Sequence, residues 1–534
     1  MIIVLLTCLL CGVSAQVVET RLGKIQGTSL ISRSGKEYLA FFSIPYAKPP
    51  IGDLRLKNPQ PSEKWENVLD GTQPPSMCVQ FNLHAAKGKR DAFGSEDCLY
   101  VNVFTPETSP KELLPVLVFI HGGSWRAGGA PGKYGAGYIM DEDVILITMQ
   151  YRVGILGFLS TEDDSIPGNF GLKDQAQALK WVKENIKSFG GDPEKITVFG
   201  MCAGGASVYY QAISPLTKDL IQGAIAEGGV ANKFWGLAQP GSAKKLANKL
   251  AGFLDCPPTS EELWKCLINK KATDIQEAEE KFIYWDIEPL VVFQPVIEKP
   301  NEGAFLTEDP MKTKLTLPLI TGFSNDEGLI KIGSLAGRDE SETELFLNNT
   351  EQYLKKMLYV EESEELDQTV KAIMDRYFSG TLDDKINGLK EFYSFMYYVT
   401  PVYKLLQTEG ENIHMYVYNY KSGQSAYNLF SGGKNFQGVG HADSLLILFN
   451  MTEHFPNKNP DEEEASKNLI QLWTDFAKSG EPSLEKISWK EGKTGDYLEI
   501  TKDKMMKKDY KKKELQFWMD LPLIKNINIV THYL

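Results

Sequence analysis

What this chain has little of narrows its class. Of 534 residues, only six are histidine and seven are cysteine. No Pro/Gly/Ser-rich linker, internal repeat or low-complexity tract divides it. That argues against a string of small modules, and one large domain over 16–534 is the expected organisation. Beyond residue 15, no run stays apolar for the ~20 residues that a spanning helix requires, so no membrane span is expected. Positive charge is in deficit: 57 Lys and Arg face 70 Asp and Glu, a net charge of -13. A surface of that sign disfavours nucleic acid and anionic membrane as partners. His, Cys and Asp nowhere cluster at metal-ligand spacing, so neither a metal nor an organic cofactor is expected. The one lysine-dense stretch, Lys502 to Lys513, is interleaved with Asp503 and Asp509 and reads as a solvated helix or turn.

What is present begins with an address. Met1 to Leu10 are almost all apolar, and Val13-Ser14-Ala15 puts small residues at the cleavage-determining positions. This reads as a secretory signal cut after Ala15, although its only basic group is the α-amino group. The C-terminal Thr531-His532-Tyr533-Leu534 is only distantly like an endoplasmic-reticulum retention signal, so export to the extracellular space is expected. Cys8 and Cys11 fall in the signal, which leaves Cys78, Cys98, Cys202, Cys256 and Cys266. The close-spaced pairs Cys78/Cys98 and Cys256/Cys266 would close short loops in an oxidising compartment, each stabilising by ~2–4 kcal/mol. Four cysteines still admit three pairings. Cys202 is the one left over. Asn348-Asn349-Thr350 and Asn450-Met451-Thr452 are glycan acceptors if exposed.

Short runs apolar on both faces alternate with helical patterns. They are Val116 to Ile120, Val144 to Met149, Ile196 to Phe199, Leu220 to Ala226, Leu317 to Thr321 and Met415 to Tyr418. Strands covered by helices on both sides show this pattern, and Asp174 to Ile186 carries apolar residues at helical spacing. An α/β architecture of doubly wound type follows. Val17 to Ser32 alternates polar residues like an antiparallel hairpin at an edge. The sections 231–314 and 340–399 read as mainly helical insertions that cap the carboxyl ends of the strands, where ligands sit in such folds.

The chemistry concentrates at those ends. Ile196 to Phe199 leads into Gly200-Met201-Cys202-Ala203-Gly204, a strand, a glycine-flanked turn and a helix start. G-x-C-x-G differs by one atom from the G-x-S-x-G nucleophile elbow. Its strained turn exposes the nucleophile, and the following helix N-terminus favours an anion and a thiolate. His121-Gly122-Gly123-Ser124 directly follows another strand. Gly122 and Gly123 there would aim backbone N–H groups, together with that of Ala203, at a developing oxyanion. An acid follows the strand Leu317 to Thr321, and spacing alone leaves Asp326 and Glu327 both open. A histidine, His441, sits in the glycine-rich loop Gly438-Val439-Gly440-His441. Nucleophile, acid and histidine in this order is the order of α/β-hydrolases, in which a carboxylate orients an imidazole that deprotonates the nucleophile.

At this point the chain resembles the type-B carboxylesterases, the cholinesterase-like α/β-hydrolases, and among them the secreted insect esterases. The markers run the length of the mature chain. They are Phe42-Ser43-Ile44-Pro45-Tyr46-Ala47-Lys48-Pro49-Pro50, Glu96-Asp97-Cys98-Leu99-Tyr100-Val101-Asn102, Tyr151-Arg152-Val153-Gly154, Gly168-Asn169-Phe170-Gly171-Leu172-Lys173-Asp174-Gln175 and Phe189-Gly190-Gly191-Asp192-Pro193. The resemblance implies an α/β-hydrolase fold, with a central mostly parallel sheet, helices on both faces and a helical cap. It implies Cys78–Cys98 and Cys256–Cys266 disulfides, and Glu327 as the acid. It also implies hydrolysis of carboxylic esters through an acyl-enzyme, and the expected partner is a small, lipophilic ester.

The departures bear on activity. The family's nucleophile is serine, and here it is Cys202. After the strand Leu220 to Ala226 the family usually has Gln-Ser-Gly, and this chain has Glu227-Gly228-Gly229. Gly228 therefore removes a supporting hydroxyl near the acid, and Glu227 adds a negative charge. Ser124 and Ser444 stand where the family usually has Gly or Ala, and Asp. The leading expectation is an ester hydrolase of weakened activity. The alternative is an impaired secreted protein that uses the same pocket to sequester a lipophilic ester or hormone-like ligand.

Overall fold

Alternation of side chains across each apolar strand splits the core into two layers. Val116, Val118 and Ile120 face one layer with Ile145 and Ile147, whereas Leu117 and Phe119 face the other with Leu146 and Phe199. The first layer is closed by helices Phe170–Asn185 and Ala203–Ile213, which contribute Leu172, Leu179, Val182 and Val208. The second is closed by helix Pro460–Ser479 through Leu469, Leu472, Trp473 and Phe476. Covered on both faces, the strands must be apolar throughout, the pattern of the sequence. This computed structural model describes residues 16–83, 85, 90–130, 134–231, 234–409, 412–429, 431–434, 436–451, 459–482 and 487–526. The expected signal (1–15), Thr452 of the second sequon and the C-terminal tetrapeptide lie outside the described residues.

The main sheet has 11 strands. From one edge to the other they are Lys504–Lys508, Asp496–Ile500, Ile413–Tyr418, Leu319–Ser324, Gly223–Glu227, Gly191–Met201, Leu114–Ile120, Ile145–Met149, Tyr100–Thr105, Glu37–Pro45 and Thr28–Ile31. From Asp496–Ile500 to Ile145–Met149 every pairing is parallel, and antiparallel strands close both edges. The carboxyl ends of four parallel strands thus lead into His121, Cys202, Glu227 and the acid loop at 326–327.

Three expectations change, and two strands were not foreseen. The hairpin of Val17–Glu19 and Lys24–Gln26 belongs to a separate three-stranded sheet with Leu69–Asp70, and only Thr28–Ile31 edges the main sheet. Lys502 to Lys513 is not simply a solvated helix or turn: Lys504–Lys508 is the edge strand, and a helix begins at Lys512. Lysines along an edge oppose pairing with another chain, which reconciles their charge with a strand. The insertion 231–314 is helical as far as Phe282 and irregular from there to 314. Glu37–Pro45 and Tyr100–Thr105 are strands whose mixed composition hid them. The section 340–399 is helical as expected.

The disulfides are Cys78–Cys98 and Cys256–Cys266, and Cys202 is free and buried. Asn348 is exposed at the end of helix Glu340–Asn348, whereas Asn450 is half-buried and its N–H donates to Gly135 O at 3.0 Å. Several of the marker residues build the scaffold. Arg152 forks onto Asp174 with two 2.7 Å hydrogen bonds, and Arg55 onto Glu96 with two of 2.6 Å. Such bidentate charged pairs fix orientation as well as distance.

A further buried cluster ties the acid loop to the insertion. Helix Leu329–Ala336 begins two residues after Glu327, and Lys331 on it lies 2.9 Å from Asp286 and 2.8 Å from Glu288. All three side chains are fully buried. Removing one partner of such a cluster leaves an uncompensated charge, at about 3–5 kcal/mol. Lys331→Met is therefore expected to lower unfolding free energy by about that amount in urea denaturation; a loss below ~1 kcal/mol would show that the cluster is relaxed by water.

Candidate active site

The turn at Cys202 requires its glycines. Cys202 sits at φ 60°, ψ -126°, a strained conformation, as the cap of helix Ala203–Ile213. A Cβ on Gly204 would lie 2.1 Å from Ile120 O, and one on Gly200 2.6 Å from the same atom. No side chain fits at either position, so the elbow strand and the strand leading to His121 press together. Gly122 lies against the same turn: a Cβ there would be 2.6 Å from Met201 O and 3.0 Å from Cys202 Cβ. The oxyanion loop is braced by Tyr151, whose hydroxyl donates to His121 O at 2.7 Å and whose ring stacks on that of His121 at 4.2 Å.

Glu327 and His441, 114 residues apart in sequence, are hydrogen bonded through Glu327 Oε2 and His441 Nδ1. The other oxygen of Glu327 accepts the Ser324 N–H at 2.7 Å. Asp326, its rival on spacing, instead lies 3.3 Å from Lys390 Nζ and accepts the Val439 N–H at 3.2 Å. The histidine loop is held from within by Asp443, which accepts from Gly440 N at 2.7 Å, Ser425 Oγ at 2.5 Å and Ala426 N at 2.8 Å. The Tyr398 ring packs on the imidazole at 4.6 Å. Tyr398, Asp443 and Ser324 were not foreseen. Tyr398 lies in a π-helical turn, Phe395–Val399, and such turns are frequent at functional sites but leave no sequence signal.

The thiol joins this pair. Burial raises the pKa of Cys202, but the positive charge on His441 and the N–H groups of Ala203 and Gly123 outweigh it, so the net direction is down. Burial lowers His441, but the Glu327 carboxylate and the Cys202 thiolate more than compensate, and it moves well up. At rest, His441 Nε2 has no hydrogen bond of standard geometry. The arrangement favours a thiolate–imidazolium pair, and the two N–H groups that stabilise the sulfur also belong to the expected oxyanion hole. Within that hole, the structure brings Gly123 and Ala203 onto the sulfur's charge, with Gly122 packed behind.

Gly228 and Glu227 lie on the acid side of this site. A Cβ on Gly228, at φ +51°, would stand 3.1 Å from Glu327 Oε1 and 3.2 Å from His441 Cε1, so a side chain there would touch both. Glu227 is buried and accepts the Tyr416 hydroxyl at 3.1 Å. Burial pushes its pKa up to about 7, with Ser444, Tyr416 and His441 opposing and Glu327 adding. The extra negative charge is therefore only partly present at neutral pH.

A free thiol titrates near 8.5 and alkylates as the thiolate. Because Cys202 is shifted down, iodoacetamide should modify it at pH values well below that, and His441→Gln should move the midpoint of the alkylation profile up by at least about one pH unit. An unshifted midpoint in His441→Gln would mean that the ring does not hold the thiolate.

With this geometry in hand, comparisons with known proteins agree on one group. Residues 14–518 match the model of the Carboxylesterase family. Juvenile hormone esterase of Tribolium castaneum is 37% identical over 507 residues, covering 89% of this chain and 86% of that protein. Venom carboxylesterase-6 of Apis mellifera is 32% identical over 533 residues, covering 95% of each. The crystal structure of juvenile hormone esterase from Manduca sexta, with OTFP covalently attached, superposes with a TM-score of 0.84 at 27% identity, covering 95% of this chain and 99% of that one.

Proposed function

The chain belongs to the carboxylesterase family, and from that premise we propose that it hydrolyses carboxylic esters through an acyl-enzyme on Cys202. His441 takes the thiol proton, and the thiolate attacks the ester carbonyl carbon. The N–H groups of Gly123 and Ala203 receive the oxyanion, with Gly122 shaping the loop. Collapse expels the alcohol, protonated by His441, and leaves a thioester. Water, deprotonated by His441, attacks the thioester, and the acid departs as the proton returns to sulfur. Glu327 fixes the ring and balances its charge throughout. The observation that carries this reading is the buried Glu327–His441 bond with the thiol interacting with the same ring.

Sulfur is larger than oxygen, so a hole built around a seryl oxygen receives the oxyanion slightly out of place. One lost contact of this kind costs about 2.7–4 kcal/mol, or ~10²–10³ in rate. Activated esters and thioesters, which need less help, are then the best substrates. The chemical class is a lipophilic ester, and the names of the Tribolium and Manduca relatives make juvenile hormone the first ester to try. The expected signal and two disulfides fit a secreted protein, with Asn348 the better-exposed glycan acceptor.

Turnover of a nitrophenyl ester should be measurable, stop on treatment with iodoacetamide, and fall by at least about 10³-fold in Cys202→Ala. Cys202→Ser should raise it, by up to ~10²-fold, as the oxyanion contact is recovered. Equal turnover in Cys202→Ala would remove Cys202 from the chemistry. Tight ester binding with no hydrolysis, unrepaired by Cys202→Ser, would favour the sequestering protein, with Gly228 as the cause.

A further inference from the structure

Beside the acid–base pair is a cavity of about 10 Å³ whose lining includes Glu227, Gly228, Glu327, Tyr416, Tyr418 and His441. That is room for a single water molecule. Three polar atoms of these lining residues are buried without a hydrogen-bond partner, His441 Nε2, Glu227 Oε1 and Tyr418 OH; the first is left for the Cys202 sulfur, since Glu327 holds Nδ1. Glu227 is 3% exposed and Tyr418 1%. An unpaired buried polar atom costs about 1–3 kcal/mol, so the other two beside one water-sized space point to an occupant that bonds both. The cavity borders Gly228, where a Cβ would contact the same Glu327 and His441 that line the space.

We propose that this cavity is a single-water site, and that Glu227 is a positioning residue that acts through the water on Glu327 beside the glycine at 228. The proposal rests on the reading of Glu327 and His441 as the acid–base pair. Tyr416 holds Glu227 Oε2 and the Ser444 side chain also acts on the carboxyl, while Oε1 has no hydrogen-bond partner and is the atom open to the water. Protonated, Glu227 donates to the water, which can in turn donate to Glu327. Ionised, it accepts from the water and places a second negative charge near the imidazole. The groups facing it are Tyr416 and Tyr418 from strand Ile413–Tyr418, Glu327 from the acid loop, and His441 and Ser444 from the histidine loop, with Asp443 beyond. The Cys202 N–H donates to its backbone oxygen at 2.9 Å. No lysine or arginine lines the cavity among the described residues; the groups that oppose protonation of Glu227 are Ser444 and Tyr416, by hydrogen bonding, and His441, by its charge. Burial holds Glu227 near neutrality, where this exchange takes place.

The test uses the full chain in two arms. In the first, the rate of Cys202 alkylation by iodoacetamide is followed by mass spectrometry against pH. The unmodified protein should show a second step near neutrality on top of the thiol titration, and Glu227→Gln, which keeps the shape and cannot ionise, should show the thiol titration alone. Superimposable profiles would overturn the role of Glu227. In the second, crystals of the unmodified protein should show one water within about 3.2 Å of both Glu227 Oε1 and Tyr418 OH, lost or displaced in Tyr418→Phe. No water there would overturn the site. If Cys202 alkylates only as an ordinary thiol in both proteins, the acid–base reading fails; Glu227 then has no pair to position and that role is overturned with it, while the density alone decides the water site.

Discussion

A carboxylate held against a buried imidazole is the interaction on which the rest depends. Glu327 and His441 are nearly inaccessible, and a charge removed from water survives only when paired. The carboxylate keeps the ring protonatable despite its burial, and the protonated ring in turn makes a thiolate affordable at Cys202. Remove the carboxylate and the ring is pushed toward neutrality, leaving the thiol as an inert buried cysteine. The same pair can accommodate the cysteine nucleophile we propose, because a thiol needs less assistance to ionise than a hydroxyl does.

The scaffold serves this pair by bringing remote segments to adjacent strand ends. Parallel pairing places the ends of Leu114–Ile120, Gly191–Met201, Gly223–Glu227 and Leu319–Ser324 side by side. Glycine supplies the close approaches: the elbow packs on Ile120 O with no room for a Cβ. Buried ion pairs supply the rigidity. Arg152–Asp174 fixes the segment after strand Ile145–Met149, and Lys331 with Asp286 and Glu288 ties the acid loop to the insertion. On the acid side, a glycine at 228 and a buried carboxyl at 227 set the bulk and charge around Glu327.

Much of this was legible in the residues. Strands buried on both faces must be apolar on both faces, so six of the parallel runs stood out. The elbow, the oxyanion glycines and His441 were marked because backbone strain and close packing restrict them to few residue types. Asp326 and Glu327 were not separable by spacing, because one residue of register decides which side chain faces the ring. Tyr398 was illegible for a different reason: its partner His441 is 43 residues away in sequence and meets it only after long-range packing, and Asp443, though it bonds Gly440 three residues back, braces the loop through Ser425, 18 residues away. The edge strand Lys504–Lys508, largely in water, and the strand Glu37–Pro45 next to the other edge carry mixed composition and were missed on that account.

The most direct measurement is to trap the acyl group. The protein is mixed with a nitrophenyl ester, quenched in acid within the first turnovers, digested, and the mass of the peptide containing Cys202 is read. The account predicts one acyl group on Cys202, released by hydroxylamine as a thioester is, and accumulating more slowly in Glu327→Gln. Ester consumption with Cys202 unmodified, or an acyl group on another side chain, would contradict it.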